Sequence, residues 1–362
     1  MPSLFEPYKL KGVTLRNRIV ASPMCQYQAC DGFSSNWHQT HYTMLARGGV
    51  GLLVVEATAI APEGRITPGD LGLWSDAHVE GLNCIAQAIK DAGAVPGIQL
   101  GHAGRKAGCN PPWEGGAPLD KSDPRAWEPV APSALPYMPS TPHMPRELTL
   151  QDIQRVQQGF VDAARRALDA GFEWLELHFA HGFLGQSFLS RHANVRTDQY
   201  GGSLENRARF LIETVTAVRK VWPDNFPLTI RLGVVEFDDG ASESFNEAIE
   251  VLRWLKDVGL DFVDAGLALS TPDEQVPWAP NFMVPYADRV RAETGLPVAT
   301  SWMITSAKDA DAFIRQGKLD LVAFARTLLA NPHWAFQAAR DLRIDKPASV
   351  LPTPYSYWLQ NW

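Results

Sequence analysis

The sequence predicts an α/β fold, a single (β/α)8 barrel taking up residues 1–362. Three observations carry that prediction. Eight short apolar runs recur along the chain, amphipathic helical segments alternate with them, and the helical segments close on a glycine just ahead of the next run. A barrel of this kind typically needs ~250 residues plus insertions, so a chain of 362 requires no second domain.

Residues 1–18 are polar, with a turn-like Lys11-Gly12, and are expected to form an N-terminal hairpin closing the barrel's bottom. The apolar runs are Ile19–Ala21, Gly51–Ala57, Gly97–Leu100, Trp174–His178, Leu228–Leu232, Phe262–Ala265, Val298–Ser301 and Leu321–Phe324. They are nearly continuous rather than alternating, which suits parallel strands buried on both faces. Helical spacing appears in Leu82, Ile85, Ala86 and Ile89 before Gly93, and in Ile153, Val156, Phe160, Ala164 and Leu168 before Gly171. It returns in Ile249, Leu252 and Leu255 before Gly259, and in Ala310, Phe313 and Ile314 before Gly317. Each glycine suits the left-handed residue that ends a helix. Thr149 and Asp152 have the spacing of a capping box. An open doubly wound sheet is the rival topology, but no GxGxxG follows any of the runs.

Two segments stand outside the cycle. Residues 103–147, after the third strand, are proline-rich and hold Trp113, Trp127 and Tyr137, as expected of a capping insertion over the active face. The tail 351–362 holds Tyr355, Tyr357, Trp358 and Trp362, and should pack on its own barrel or on a neighbouring subunit.

Composition narrows the function. A net charge of −7 argues against a nucleic-acid partner. The longest apolar stretch, Gly48–Ala61, carries Glu56 and is shorter than the ~20 residues a membrane span needs. Glu6 and Pro7 interrupt any secretory leader, and Cys25, Cys30, Cys84 and Cys109 form no CxxC pair, so the expectation is free thiols in a cytoplasmic protein.

Barrel enzymes place their chemistry at the C-terminal ends of the strands. Those positions hold Ser22 to Tyr27, Glu56-Ala57, Gln99 to His102, His178 to His181, Arg231, Ser301-Trp302 and Ala325-Arg326. Cys25 has no sequence-local base, and Glu56 no evident partner. His178 and His181 could begin a metal site, but no accompanying carboxylate is evident at the other strand ends, so no metal is expected. Two neutral imidazoles can instead donate hydrogen bonds together to a carbonyl or nitro oxygen; the alternative is a structural role. The Gln99 amide can pair with a flavin pyrimidine edge. Arg231 can face the flavin N1–C2=O region or form a barrel-mouth salt bridge. The loops after strands seven and eight, with Ser301-Trp302-Met303 and Ala325-Arg326, occupy the usual phosphate position.

These stretches resemble the Old Yellow Enzyme family of FMN-dependent ene-reductases over essentially the whole chain. The motifs are Leu15-Arg16-Asn17-Arg18, Ser22-Pro23-Met24-Cys25-Gln26-Tyr27, Gln99 to Arg105, His178-Phe179-Ala180-His181-Gly182-Phe183-Leu184 and, most specific, Arg196 to Arg207. Cys25 and the Trp-bearing tail resemble its thermophilic-like branch. The resemblance implies FMN contacts from Ser22, Pro23, Met24, Cys25, Ala57, Gln99, His178, Arg231, Trp302, Ala325 and Arg326, with Cys25 tuning the flavin. It implies a substrate pocket shaped by Tyr27, Trp302 and Trp358, and a homodimer in which the tail reaches the neighbouring subunit. Three positions depart from the family pattern: Ser301-Trp302-Met303 replaces a Gly-containing segment, Ala325 replaces a Gly, and Phe183 replaces the Tyr proton donor.

The expected activity is therefore a ping-pong reduction of electron-poor small molecules (enones, maleimides, nitroalkenes, quinones or nitro compounds) by NADPH or NADH through FMN. His178 and His181 would hold the substrate, and the oxidative half-reaction with alkenes would be slowed at Phe183. A non-redox barrel, such as a metal-assisted hydrolase or lyase, and a catalytically silent flavin-binding protein are the alternatives.

Overall fold

The computed structural model describes every residue except 1, 139, 140, 142 and 143, so four residues of the capping insertion lie outside the described ones. Eight parallel strands form the barrel: β1 (Ile19–Ala21), β2 (Leu52–Ala59), β3 (Val95–Gly101), β4 (Trp174–Phe179), β5 (Leu228–Val235), β6 (Phe262–Leu267), β7 (Val298–Ala299) and β8 (Val322–Phe324). They lie in the order β7-β6-β5-β4-β3-β2-β1-β8. The ring closes where Leu321 N–H donates to Val298 O (3.3 Å) and Ala323 N–H to Thr300 O (3.2 Å). All eight expected runs are strands, and the closed ring replaces the open-sheet rival.

The connecting helices are α1 (Asn36–Arg47), α2 (Val79–Asp91), α3 (Leu150–Asp169), α4 (Leu184–Leu189), α5 (Leu204–Arg219), α6 (Ala241–Asp257), α7 (Val284–Thr294) and α8 (Ala307–Arg315). Gly93, Gly171, Gly259 and Gly317 all take positive φ just beyond the helices they follow. Only a residue without Cβ holds that conformation at little cost. Thr149 and Asp152 cap α3 reciprocally: Thr149 Oγ1 accepts from Asp152 N (3.1 Å), and Asp152 Oδ2 accepts from Thr149 N (3.1 Å).

The N-terminal hairpin pairs Tyr8–Leu10 with Val13–Leu15. Its Val13 and Leu15 pack into a floor with Val20, Leu52, Val54, Trp174, Phe262 and Leu321, where the Trp174 and Phe262 rings meet edge-on at 5.4 Å. At the other end the capping insertion is fastened down by Trp127, whose Nε1 donates to Glu63 O (2.9 Å) and whose ring carries the Arg65 guanidinium.

Three short C-terminal helices follow: α9 (Arg326–Ala330), α10 (Trp334–Asp341) and α11 (Thr353–Leu359). Leu359 packs on Phe336, Ala348 and Leu351, and Tyr355 meets His333 at 5.7 Å. The tail does lie on its own barrel, yet Trp358 and Trp362 remain 79% and 78% exposed. No helix among the described residues is long and apolar enough to cross a membrane. All four cysteines are free.

Candidate active site

Register builds the centre of the site. Between β4 and β5, His178 lies opposite Arg231; between β5 and β6, Arg231 lies opposite Asp264; between β3 and β4, Gln99 lies opposite Glu176. Side chains two apart on a strand share a face, so Glu176 and His178 point the same way into the barrel.

His178 is the penultimate residue of β4, and soon after the strand the chain turns through His181 (φ 60°) and Gly182 (φ 69°). A non-glycine residue in the left-handed region costs roughly 1–2 kcal/mol and persists where its surroundings hold it. Here His181 N–H donates to Leu267 O (3.0 Å), while the Lys106 ammonium donates to His181 O (2.7 Å) and Leu269 O (2.9 Å). The turn stands the His181 ring perpendicular to that of His178 at 4.9 Å. Phe183 packs edge-on against His178 at 5.0 Å, and Trp302 against His181 at 5.7 Å.

His178 Nδ1 and His181 Nε2 are buried and have no hydrogen-bond partner. Burial, then the charge of Arg231, holds both imidazoles well below the usual histidine range. Both rings are therefore neutral at pH 7, and each keeps one N–H to donate. Unpaired buried polar atoms are costly in a folded chain, so each of these two nitrogens calls for a polar partner.

Beneath the histidines lies a buried polar lattice. Gln99 Nε2 donates to Glu176 Oε1 (2.7 Å), Arg231 Nη2 donates to Ser301 Oγ (3.0 Å), and Arg231 Nε stands 3.2 Å from Asp264 Oδ2. Burial raises the pKa of both Glu176 and Asp264, and Arg231 works against that rise. The barrel-mouth ion pair weighed for Arg231 is present, with Asp264 as its partner. Glu176 and Asp264 were missed in the sequence because they sit inside apolar runs rather than at strand ends; a carboxylate two residues before His178 on the same face was the available signal.

The segment after β1 runs along one side. Ser22 is buried, and its N–H donates to Phe324 O (2.9 Å), leaving Pro23, Met24 and Cys25 half-buried at the mouth. Burial pushes the Cys25 thiol well above its usual range, and the charges of Asp70 and Glu56 add to this. Such a thiol is a weak nucleophile, consistent with a modulating role. Glu56, for which the sequence offered no partner, is wholly buried and accepts from Tyr42 Oη (2.7 Å) and Gln26 N (2.7 Å). Ala57 follows it on β2, in register with Gln99.

Opposite, the loops after β7 and β8 meet, with Arg326 Nη2 3.6 Å from Met303 Sδ. Met303 takes φ 58°, the conformation for which a glycine is the easier residue. Ala325 stands at φ −115°, ψ −91°, outside the left-handed region where a glycine is the easier residue. Arg326 is exposed at this mouth.

A cavity of about 230 Å3 opens beside the histidines under the cap, lined by Tyr27, Ile66, Lys106, Cys109, Tyr137 and Phe183 among others. Lys106 is a third residue missed in the sequence: burial lowers its pKa to about 7, and its ammonium stands 3.9 Å from the Tyr137 ring centroid. Trp358 does not line this cavity; its ring meets Tyr357 on α11.

The NADH:flavin oxidoreductase / NADH oxidase family model matches residues 3–345. The chain belongs to this family, that of the Old Yellow Enzymes. An NADPH dehydrogenase from Geobacillus sp. (strain WCH70) is 42% identical over 350 residues, which cover 96% of each chain. Among solved structures, morphinone reductase in complex with tetrahydroNAD is similar at a TM-score of 0.79 and 28% identity, over 94% of this chain and 91% of that one. An Old Yellow Enzyme homologue from Zymomonas mobilis is similar at 0.76 and 27% identity over the full length of both. This Old Yellow Enzyme is an FMN-dependent NAD(P)H oxidoreductase on a (β/α)8 barrel, and the non-redox alternative falls away.

Proposed function

We propose that this flavoenzyme reduces electron-poor small molecules, with His178 and His181 as paired donors to the substrate's carbonyl or nitro oxygen. The observation that carries the reading is the pair of buried, unpartnered nitrogens on two neutral rings 4.9 Å apart. Donors fixed before the reaction stabilise negative charge as it develops, at no cost in reorganisation.

The residues present suit FMN. Gln99, held from one side by Glu176, keeps its amide oxygen for an N–H of the pyrimidine edge. Arg231 supplies a fixed cation for the N1–C2=O side, with Pro23, Met24, Cys25 and Ala57 along the ring. Ser301, Trp302, Met303, Ala325 and Arg326 border the phosphate. When bound, FMN reduced by NADPH or NADH supplies the hydride that reaches the substrate's β-carbon. Reductant and acceptor use the same space beneath the cap in turn, which is a ping-pong cycle.

The proton is the slow partner. Phe183 lines the cavity where the family pattern has a Tyr, and a phenyl ring has no proton to give. Tyr27 lines the same cavity, but burial drives its phenol pKa far above the usual range, so it is a poor acid. Enones are therefore reduced slowly, with the α-proton coming from Tyr27 or water. Quinones and nitro compounds, which take protons on oxygen, are the better acceptors. Trp302 and Tyr27 shape this substrate space. The exposed Trp358 and Trp362 support a homodimer in which each tail reaches the neighbouring subunit, and sedimentation at two protein concentrations checks it.

The test is anaerobic stopped-flow reoxidation of the reduced enzyme. The reading expects rapid reoxidation by a benzoquinone and slow reoxidation by 2-cyclohexenone. Equal rates for the two acceptors would remove the proton argument.

A further inference from the structure

The substrate- and flavin-facing segment Cys25–Tyr27 is not held by regular structure. It falls between β1 and α1, and Tyr27 sits at φ 53°, where a bulky side chain is strained. Something must hold it, and β2 supplies the grip. The β2–β3 register shifts between Val55, opposite Ile98, and Ala57, opposite Gln99, so Glu56 is the extra residue of a β-bulge. A bulge re-aims the extra side chain out of the ladder.

The re-aimed Glu56 is wholly buried, and its carboxylate is fully engaged. Oε2 accepts from Gln26 N (2.7 Å) and Oε1 from Tyr42 Oη (2.7 Å), while Tyr42 Oη in turn accepts from Glu56 N (3.1 Å). The Tyr27 backbone N–H lies near enough to favour the ionised Glu56 carboxylate, and that of Ala57, the next residue, to favour the Cys25 thiolate. His38 closes the far side, with Nε2 3.5 Å from Glu56 Oε1. The bulge thus presents a buried carboxylate to the backbone of Gln26, between Cys25 and the strained Tyr27.

We propose that Glu56 is the positioning residue of the site, fixing Cys25 against the flavin and Tyr27 against the substrate through the backbone N–H of Gln26 between them. The assignment rests on the flavoenzyme reading for its consequences and on geometry for the clamp itself. A buried acid at this place also agrees with its pKa, raised to about 8 by burial despite the hydrogen bonds it accepts.

Glu56→Gln keeps an oxygen for Gln26 N and an amide nitrogen that can donate to Tyr42 Oη. Glu56→Ala leaves the backbone N–H of Gln26 and the Tyr42 hydroxyl without their buried acceptor, a loss large enough to change an equilibrium about tenfold or more. In the holoenzyme, Glu56→Ala should raise the rate at which iodoacetamide modifies Cys25 about tenfold, and raise KM for 2-cyclohexenone by a similar factor. Flavin reduction by NADPH should change less, and Glu56→Gln should restore most of both losses. A folded Glu56→Ala enzyme with native Cys25 alkylation and native KM overturns the assignment. Should that variant not fold, Tyr42→Phe frees one carboxylate oxygen and should move alkylation the same way to a smaller extent; no movement overturns the assignment as well. A colourless protein, or one that NADPH does not bleach, would instead sink the flavoenzyme reading and leave the alkylation contrast as a test of the clamp.

Discussion

The two ends of the barrel follow opposite packing rules. At the floor, Val13, Leu15, Val20, Leu52, Val54, Trp174, Phe262 and Leu321 bury apolar side chains against one another. At the mouth, His178 Nδ1, His181 Nε2, His102 Nε2 and Trp302 Nε1 are buried without partners, and Tyr27, His181 and Met303 hold positive φ. Unsatisfied polar atoms and strained backbone each cost of order 1–3 kcal/mol, and nothing in packing requires them. The floor is packed for stability, and barrels place their chemistry at the mouth, so substitutions at the two ends should fail in different ways.

The largest effect should come from restoring a proton donor at the mouth. Phe183→Tyr should speed reoxidation by 2-cyclohexenone ~10²–10⁴-fold in single-turnover measurements while leaving thermal stability unchanged. Next comes the donor pair. His178→Ala or His181→Ala should each lower kcat for an enone about 10²–10³-fold and weaken the binding of phenolic ligands, read by the charge-transfer band. At the floor, Trp174→Ala should cost ~3–5 kcal/mol in urea unfolding, yet the enzyme that remains folded should reduce quinones at a native rate. A floor variant that loses chemistry before stability would break the contrast between the two ends.

Smaller effects sharpen it. Removing the α3 cap with Thr149→Ala should cost ~1 kcal/mol and leave the site unaltered. The pH response is the subtlest. Because burial holds His178 and His181 below the usual histidine range, they stay neutral as pH falls through 6, and phenolic-ligand affinity should be flat from pH 8 to 6. Glu56 runs the other way. Its folded pKa of about 8 exceeds that of the unfolded chain, so the folded state binds the extra proton between them. Stability from this group is complete below the unfolded carboxylate pKa of ~4.3 and is lost as pH rises to about 8. Glu56→Gln should flatten that part of the urea-unfolding profile.

Much of this was legible in the sequence because it depends on short-range rules. The apolar runs, the glycines at 93, 171, 259 and 317 and the Thr149–Asp152 box are local signals, and each stands where it was expected. His178 was legible by position, one residue from the end of β4, whereas Arg231, expected at the end of its strand, lies inside β5, which runs on to Val235. The lattice beneath them was not legible, since Gln99 with Glu176 and Arg231 with Asp264 are matters of inter-strand register. Glu56 was visible as a residue but not as a clamp, because a bulge is a property of two strands together. Lys106 gains its place only through the turn at His181 and the ring of Tyr137. Trp358 was expected at the substrate; within its own chain it stands exposed on the tail helix.

The central claim is that a flavin sits at this mouth with its substrate held by His178 and His181. Anaerobic titration of the purified protein with NADPH, followed by addition of a benzoquinone, tests it most directly. The account predicts a yellow protein whose blue-region absorbance bleaches with one equivalent of NADPH and returns on adding the quinone, the return slowing at least a hundredfold in the His178→Ala/His181→Ala enzyme. A colourless protein, or a return as fast without the two histidines as with them, would contradict it.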